Sequence, residues 1–227
     1  TDFANNIAIG FDALADGNAN FYRSMGIGRG AANKNKVSDN MAIGYEALKV
    51  HTTGPRNIAI GSYAMDDTDA GSNSLASQDN IFIGLDTGGG TWADTQSNYN
   101  VAIGNYSMDG ALDGANHNVA LGYETLSSVT TEDANVAIGY RAMYQGGGTQ
   151  NIAIGDNAMY QGPTGGTNYA IGRYTMMDCN AGATALSSNS NIAIGHSALG
   201  GTWADAASNY NIAIGHNAMD AGVNGAL

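Results

Sequence analysis

The chain is poor in the residues that would place it in several common protein classes. Its 227 residues include one cysteine and two prolines, and only eight lysines and arginines stand against twenty acidic residues. The single cysteine, Cys179, excludes an intrachain disulfide, and we expect an unpaired thiol in a polar loop, with an interchain link left open. The net charge of −12 argues against nucleic acid and anionic lipid as partners, because both require a basic surface.

The chain also lacks a long apolar segment. No run approaches the ~20 apolar residues of a membrane span, and no signal peptide is recognisable at its start. We therefore expect no membrane insertion, and we interpret the sequence as a mature or excised segment. A surface rich in glycine, asparagine and acidic residues suits an extracellular location, on a cell surface or a virion.

What the chain has in abundance is one short phrase, Asn-Ile-Ala-Ile-Gly, followed two residues later by Ala-Leu or Ala-Met. The phrase occurs twelve times in exact or varied form, and its closing glycines are Gly10, Gly28, Gly44, Gly61, Gly84, Gly104, Gly122, Gly139, Gly155, Gly172, Gly195 and Gly215. The spacing between successive closing glycines is as short as that between Gly28 and Gly44 and as long as that between Gly61 and Gly84. Such a period is too short for helical-pair repeats and is typical of a β-solenoid, in which each coil buries its apolar side by stacking on its neighbours. The sequence therefore predicts an all-β parallel solenoid of about twelve short coils.

Each position of the phrase predicts a structural role. The asparagine, replaced only by Ser24, tolerates left-handed backbone at a corner and can form an amide ladder from coil to coil. The next three residues alternate large, small, large, as in Ile152-Ala153-Ile154, which indicates a strand with two different faces. We expect the bulky residues to point into the coil and the Leu or Met after the glycine to supply the opposite wall.

The small middle residue of each strand is the position that predicts association. It is alanine in ten coils, Gly26 in one and Phe82 in one, whereas a solvent-facing strand would collect Thr, Lys, Ser or Asn. An uncharged stripe outside the core of the coil is normally covered by another chain. We therefore expect self-association, as a homotrimer, through Ala8, Ala42, Ala59, Ala102, Ala120, Ala137, Ala153, Ala170, Ala193 and Ala213.

These phrases resemble the head repeats of YadA-type trimeric autotransporter adhesins and similar repeats of bacteriophage tail fibres. The resemblance extends from Asn6 to about Met219. It implies a left-handed parallel β-roll, three of which pack side by side with their inner strands on the threefold axis. The alanine column would then line the axis, and the Ile and Leu pairs would fill each roll. The Gly28 and Gly84 coils depart from the pattern.

The spacing of the coils itself repeats. The intervals that separate Gly44, Gly61, Gly84 and Gly104 recur, in the same order, between Gly155, Gly172, Gly195 and Gly215. We therefore expect residues 1–227 to form one solenoid of two six-coil super-repeats, approximately 1–112 and 113–227. The end of the chain joined to its beginning would continue the phrase in register, which predicts either a window of a longer repetitive protein or head-to-tail stacking of subunits.

The duplicated long loops carry the best candidates for ligand recognition. They place Trp92, Asp94 and Tyr99 in the first super-repeat and Trp203, Asp205 and Tyr210 in the second. Aromatic faces beside carboxylates suit the binding of sugar rings, so we expect a surface glycan as the ligand. The alternatives are that each tryptophan folds back over its own coil or lines a trimer interface.

No catalytic motif, cofactor motif or metal site is predicted, and we expect no enzyme activity. His196 and His216 could stack in adjacent coils, but two ligands without a third are weak evidence for a metal. Asp66, Asp67 and Asp69 fit a solvated turn better than a calcium loop. The sequence favours a non-enzymatic extracellular fibre or adhesin segment that binds itself and a glycan. The alternatives are a purely structural filament subunit and a polysaccharide hydrolase with facing carboxylates.

Overall fold

A computed structural model describes residues 5–15, 22–68, 74–179, 187–202 and 207–221. These residues form short parallel strands joined by turns, with one 3-10 turn at Ser74–Ala76. None of the described residues belongs to a helix long and apolar enough to cross a membrane. The predicted all-β class is confirmed, while trimer packing and handedness remain predictions.

The strands lie in two compact units, residues 1–118 and 119–227. The first unit contains β1 (Ile7–Ile9), β2 (Met25–Ile27), β3 (Met41–Ile43), β4 (Ile58–Ile60), β5 (Ile81–Ile83) and β6 (Val101–Ile103). The second contains β7 (Val119–Leu121), β8 (Val136–Ile138), β9 (Ile152–Ile154), β10 (Tyr169–Ile171), β11 (Ile192–Ile194) and β12 (Ile212–Ile214). Within each unit, consecutive strands pair in parallel with equivalent repeat positions opposite each other, as Ala42 with Ala59. The predicted parallel β-solenoid is therefore confirmed in each unit.

The glycine that closes each strand is required for two reasons. Its backbone φ is strongly positive, +137° at Gly61, which side-chain-bearing residues rarely adopt. A Cβ at Gly61 would also lie 2.0 Å from the carbonyl oxygen of Gly84 in the next coil. The coils thus approach each other backbone to backbone at this column, and only glycine leaves room for that approach.

The asparagines form the predicted amide ladder. The backbone N–H and Nδ2 of Asn57 both donate to Oδ1 of Asn40, at 2.8 and 3.5 Å, and Asn80 makes the same pair of contacts to Asn57 at 3.0 and 3.1 Å. In the second unit the ladder runs through Asn151, Asn168, Asn191 and Asn211. The left-handed corner residue, however, is the one before each asparagine, such as Arg56 with φ +62°. Each asparagine instead leads directly into a strand while its amide bonds along the stack.

The strands face the opposite way from our prediction. From β3 to β11 the middle residue is fully buried and the two flanking residues are partly exposed. The buried alanines are Ala42, Ala59, Ala102, Ala120, Ala137, Ala153, Ala170, Ala193 and Ala213, whereas Ala8 in β1 is exposed. The expectation that the bulky residues point inward and the alanine column outward is therefore wrong.

The narrow interior of the coil explains this orientation. The inward strand residue shares the interior with the Leu or Met of the turn, such as Leu48 and Met65, which are fully buried and form the predicted opposite wall. In the coil where Phe82 points inward, the turn has Gly88 in place of Leu or Met, and a Cβ there would lie 2.6 Å from the Phe82 ring. Where one of these two positions holds Leu, Met or Phe, the residue opposite it is small, and in the Gly28 coil both Gly26 and Ala32 are small.

Candidate functional site

The outward side chains of the strands form a continuous apolar surface within each unit, which we call the outer strand face. It consists of the first and third residues of every strand. In the first unit these are Ile7, Ile9, Met25, Ile27, Met41, Ile43, Ile58, Ile60, Ile81, Ile83, Val101 and Ile103. In the second they are Val119, Leu121, Val136, Ile138, Ile152, Ile154, Tyr169, Ile171, Ile192, Ile194, Ile212 and Ile214.

Stacking covers the outer strand face only in part. Ile103 remains 41 % exposed and Ile171 39 % exposed, although both have a neighbouring strand. No member is charged, and the only hydroxyl belongs to Tyr169. A contiguous apolar surface of this kind is characteristic of a contact with another molecule.

A ladder of ion pairs borders this face in the first unit. Arg23 donates to both carboxylate oxygens of Asp39, at 2.6 and 2.9 Å, and Arg56 does the same to Asp79, at 2.6 and 2.8 Å. The hydrogen bonds from each guanidinium lower the pKa of the partner carboxyl. The corresponding residues of the second unit are uncharged, namely Ala134, Gln150, Thr167 and Ser190. In the first unit these charges lie at the edge of the face, where Arg23 and Asp39 line a hollow of about 210 Å³ together with Met25 and Met41.

Trp92 does not belong to an exposed ligand site. Its side chain is fully buried, its Nε1–H donates to the carbonyl of Gly88 at 2.9 Å, and its ring packs edge-to-face with Phe82 at 5.8 Å. The prediction that Trp92 binds a ligand is wrong, and the alternative that it folds back over its own coil is confirmed. Trp203 and Asp205 lie outside the described residues.

The other candidates in the duplicated loops are exposed. Asp94 lies on the surface, and Tyr99 is 48 % exposed with its ring stacked on His117 at 5.0 Å. Tyr210, at the equivalent position of the second unit, is 74 % exposed. The loops thus present tyrosines without the tryptophan that we expected beside Tyr99.

The titratable side chains in the described parts of the chain include no group of three that could hold a metal ion. His196 and His216 stack as predicted, with ring centroids 4.9 Å apart, but no group of three His, Cys, Asp or Glu residues is placed to hold a metal there. Burial, with smaller contributions from Asp86 and Asp67, raises the pKa of Asp66 to about 7. Asp69 lies outside the described residues.

Cys179 is buried rather than exposed in a polar loop. Its Sγ lies 3.2 Å from the carbonyl oxygen of Met176, and burial raises the pKa of its thiol well above the usual value. A buried, protonated thiol is a poor partner for a disulfide with another chain. The expectation of a polar-loop thiol, with an interchain link left open, is therefore not supported by its position.

Sequence reasoning missed the outer strand face because alternation alone does not say which side of a strand points inward. The coil that carries Phe82 indicates the orientation in the sequence, because Gly88 stands there at the turn position where other coils have Leu or Met. Comparison of the chain with protein-family models, with curated proteins and with solved structures found no match.

Proposed function

We propose that the chain is a non-enzymatic fibre segment, located outside the cell on a cell surface or virion, that associates with copies of itself through the outer strand face. The observation that carries the proposal is the uncharged apolar surface that recurs on every coil. This surface replaces the alanine column as the contact, because the alanines lie inside the coils.

The regularity of the outer strand face favours a second copy of the chain as its partner. Strands recur every ~4.8 Å along each unit, and another solenoid offers apolar rows with the same spacing. Six strands of three residues cover roughly 300 Å² of flat area in a unit, by the same strand dimensions. This area falls within the range of apolar patches that are often functional on a protein surface. The trimer that the sequence resemblance implies is the assembly that the experiment below tests for.

The test is to place charge on the outer strand face without touching the interior. Ile138→Lys combined with Ile154→Lys alters two outward residues of adjacent coils. We expect the native chain to have three times its 23.2 kDa mass by light scattering, and the double variant to have the mass of one chain with an unchanged circular dichroism spectrum.

Two controls separate loss of association from loss of folding. Thr131→Lys with Thr149→Lys adds the same charge at exposed loop positions of the same unit and should leave the mass unchanged. Ala137→Lys, by contrast, buries a charge inside a coil and should unfold it. A native chain that stays monomeric at high concentration, or a double variant of native mass, would overturn the proposal. A mass that grows without limit would favour the structural filament.

The exposed tyrosines favour glycan binding as a second function of the same fibre. Tyr99 and Tyr210 occupy equivalent, strongly exposed positions of the two super-repeats, so associated copies would present them repeatedly and gain avidity. Tyr99→Ala with Tyr210→Ala should abolish binding to a glycan array, whereas Tyr63→Ala, which removes an exposed tyrosine from another column, should not. Equal binding by all three proteins would rule this function out.

A further inference from the structure

His51 is a fully buried histidine on the segment between β3 and β4. Its Nδ1 lies 3.2 Å from the hydroxyl oxygen of Thr68, and its Nε2 lies 3.1 Å from the carbonyl oxygen of Gly54. Nε2 is also 3.1 Å from Nδ2 of Asn57, a member of the asparagine ladder. The ring therefore joins a loop, the ladder and the following turn.

These surroundings suit a neutral ring and disfavour a charged one. Every contact atom belongs to a hydroxyl, a carbonyl or an amide, and no carboxylate among the described residues contacts the ring. An imidazolium would also turn an N–H towards the amide nitrogen of Asn57, which is itself a donor. Burial lowers the pKa of His51 to about 4, although the carbonyls of Gly54 and Ser77 act in the opposite direction.

We propose that His51 is an acid-responsive latch, which when neutral ties the loop at residues 49–57 to Thr68 and the asparagine ladder, and when protonated releases them. The released segment connects two strands of the outer strand face. Acid would therefore loosen the outer strand face in the first unit. This consequence for self-association rests on the function proposed above.

The second unit contains a natural comparison. Gly162 stands at the position equivalent to His51, in the super-repeat where Gly155 is equivalent to Gly44, and it has no ring to protonate. Asn168, the counterpart of Asn57, still donates to the carbonyls of Gly165 and Ser188, at 3.2 and 3.0 Å. The second unit thus retains these ladder contacts without a titratable ring at residue 162, although Cys179 stands there in place of Thr68.

The direction of the pH effect follows from the two states of the ring. The unfolded imidazole takes up a proton near 6.5 and the folded one near 4, so the stabilisation by the neutral ring is complete above pH 6.5 and is lost as the pH falls towards 4. Opening of the segment should become on the order of 30-fold more favourable between pH 7.5 and pH 5.

Asp66, two residues before Thr68, acts in the opposite sense. Its raised pKa means that its ionisation destabilises the folded turn, and that acidification from pH 7.5 to pH 5 removes this effect. The experiment is therefore carried out with Asp66→Asn, so that the change in opening reports His51. Asp67 and Asp86 contribute to the pKa of Asp66 and are present in every protein compared.

The measurement is hydrogen–deuterium exchange by mass spectrometry at pH 7.5, 6 and 5, corrected for the intrinsic exchange rate. In Asp66→Asn we expect protection of residues 49–68 to fall about 30-fold by pH 5, and protection of residues 160–179 to fall much less. Adding His51→Gln, which keeps an acceptor and a donor but cannot titrate, should remove the difference. Adding His196→Gln, at an exposed histidine, should preserve it.

Two results would overturn the proposal. One is equal loss of protection in both segments at pH 5. The other is a full pH response that persists without a titratable group at residue 51. If the His51→Gln chain fails to fold, the comparison of the two segments in Asp66→Asn alone decides the question.

Discussion

Ser107 occupies the turn position at which other coils have alanine, such as Ala64 and Ala142. Its side chain is buried, and its hydroxyl has no hydrogen-bond partner in the described part of the chain. Threonines at the same position do bond, since Oγ1 of Thr175 donates to the carbonyl of Gly172 at 2.6 Å. A hydroxyl at this position is therefore tolerated when it donates a hydrogen bond to the glycine carbonyl. The hydroxyl of Ser107 is desolvated without making that bond.

Ser107→Ala should therefore stabilise the protein. Removing a buried hydroxyl without a partner should raise the free energy of unfolding by about 1 kcal/mol. The matched change Thr175→Ala removes a bonded hydroxyl and should lower it by a similar amount. Denaturant titration of both variants measures the two signs, and destabilisation by Ser107→Ala would show that its hydroxyl has a partner in solution.

At the scale of the coil, two inward residues together, one from the strand and one from the turn, determine how the interior is filled. Phe82 with Gly88 in the first super-repeat corresponds to Ala193 with Leu199 in the second. Gly88 and Leu199 share a left-handed backbone, with φ of +62° and +51°. The same backbone therefore accepts either arrangement of one large and one small side chain.

This equivalence predicts strong coupling between Phe82 and Gly88. Phe82→Ala alone should cost about 3–5 kcal/mol through the cavity it leaves. Gly88→Leu alone should also destabilise, because its Cβ would meet the Phe82 ring. The double variant reproduces the pair of the second unit and should recover most of the loss, which a double-mutant cycle of unfolding free energies measures. Additive losses would show that the two residues do not share one space.

The sequence was sufficient to place every strand but not to orient it. Each Ile-Ala-Ile phrase, such as Ile152-Ala153-Ile154, forms a strand where predicted, because the glycine after it and the asparagine before it end the segment on both sides. The buried face depends on how much volume a coil can enclose, which the alternation of large and small residues does not contain. The burial of His51 was not predicted, and that of Trp92 was predicted only as an alternative, for the same reason, since burial of a loop residue depends on where the loop folds.

At the scale of the molecule, the described contacts of each unit run from one coil to the next. The glycine column, the asparagine ladder and the strand pairing all join adjacent coils. Stability in such a stack is a sum of local terms and nearest-neighbour terms, so damage to one coil should spread to its neighbours and diminish with distance. The outer strand face depends on this order, because its rows are continuous only where successive coils are in register.

Gly61→Ala tests this nearest-neighbour arrangement. The added methyl group would lie 2.0 Å from the Gly84 carbonyl oxygen, and the backbone at φ +137° is already unfavourable for alanine, so we expect a loss of about 3–5 kcal/mol. Gly215→Ala is the matched control, because its φ of +131° gives similar backbone strain while the nearest described atom is 4.0 Å away. It should cost only about 1–2 kcal/mol.

The spatial pattern of the damage is the decisive observation. Hydrogen exchange should show that Gly61→Ala exposes the backbone of β4 and β5 most, that of β3 and β6 less, and that of β9 to β11 in the second unit least. The graded loss follows because the clash separates two coils and each coil supports only those beside it. Uniform loss of protection across both units would show that the chain unfolds as one cooperative body. Damage to one coil would then abolish association through the outer strand face in both units at once.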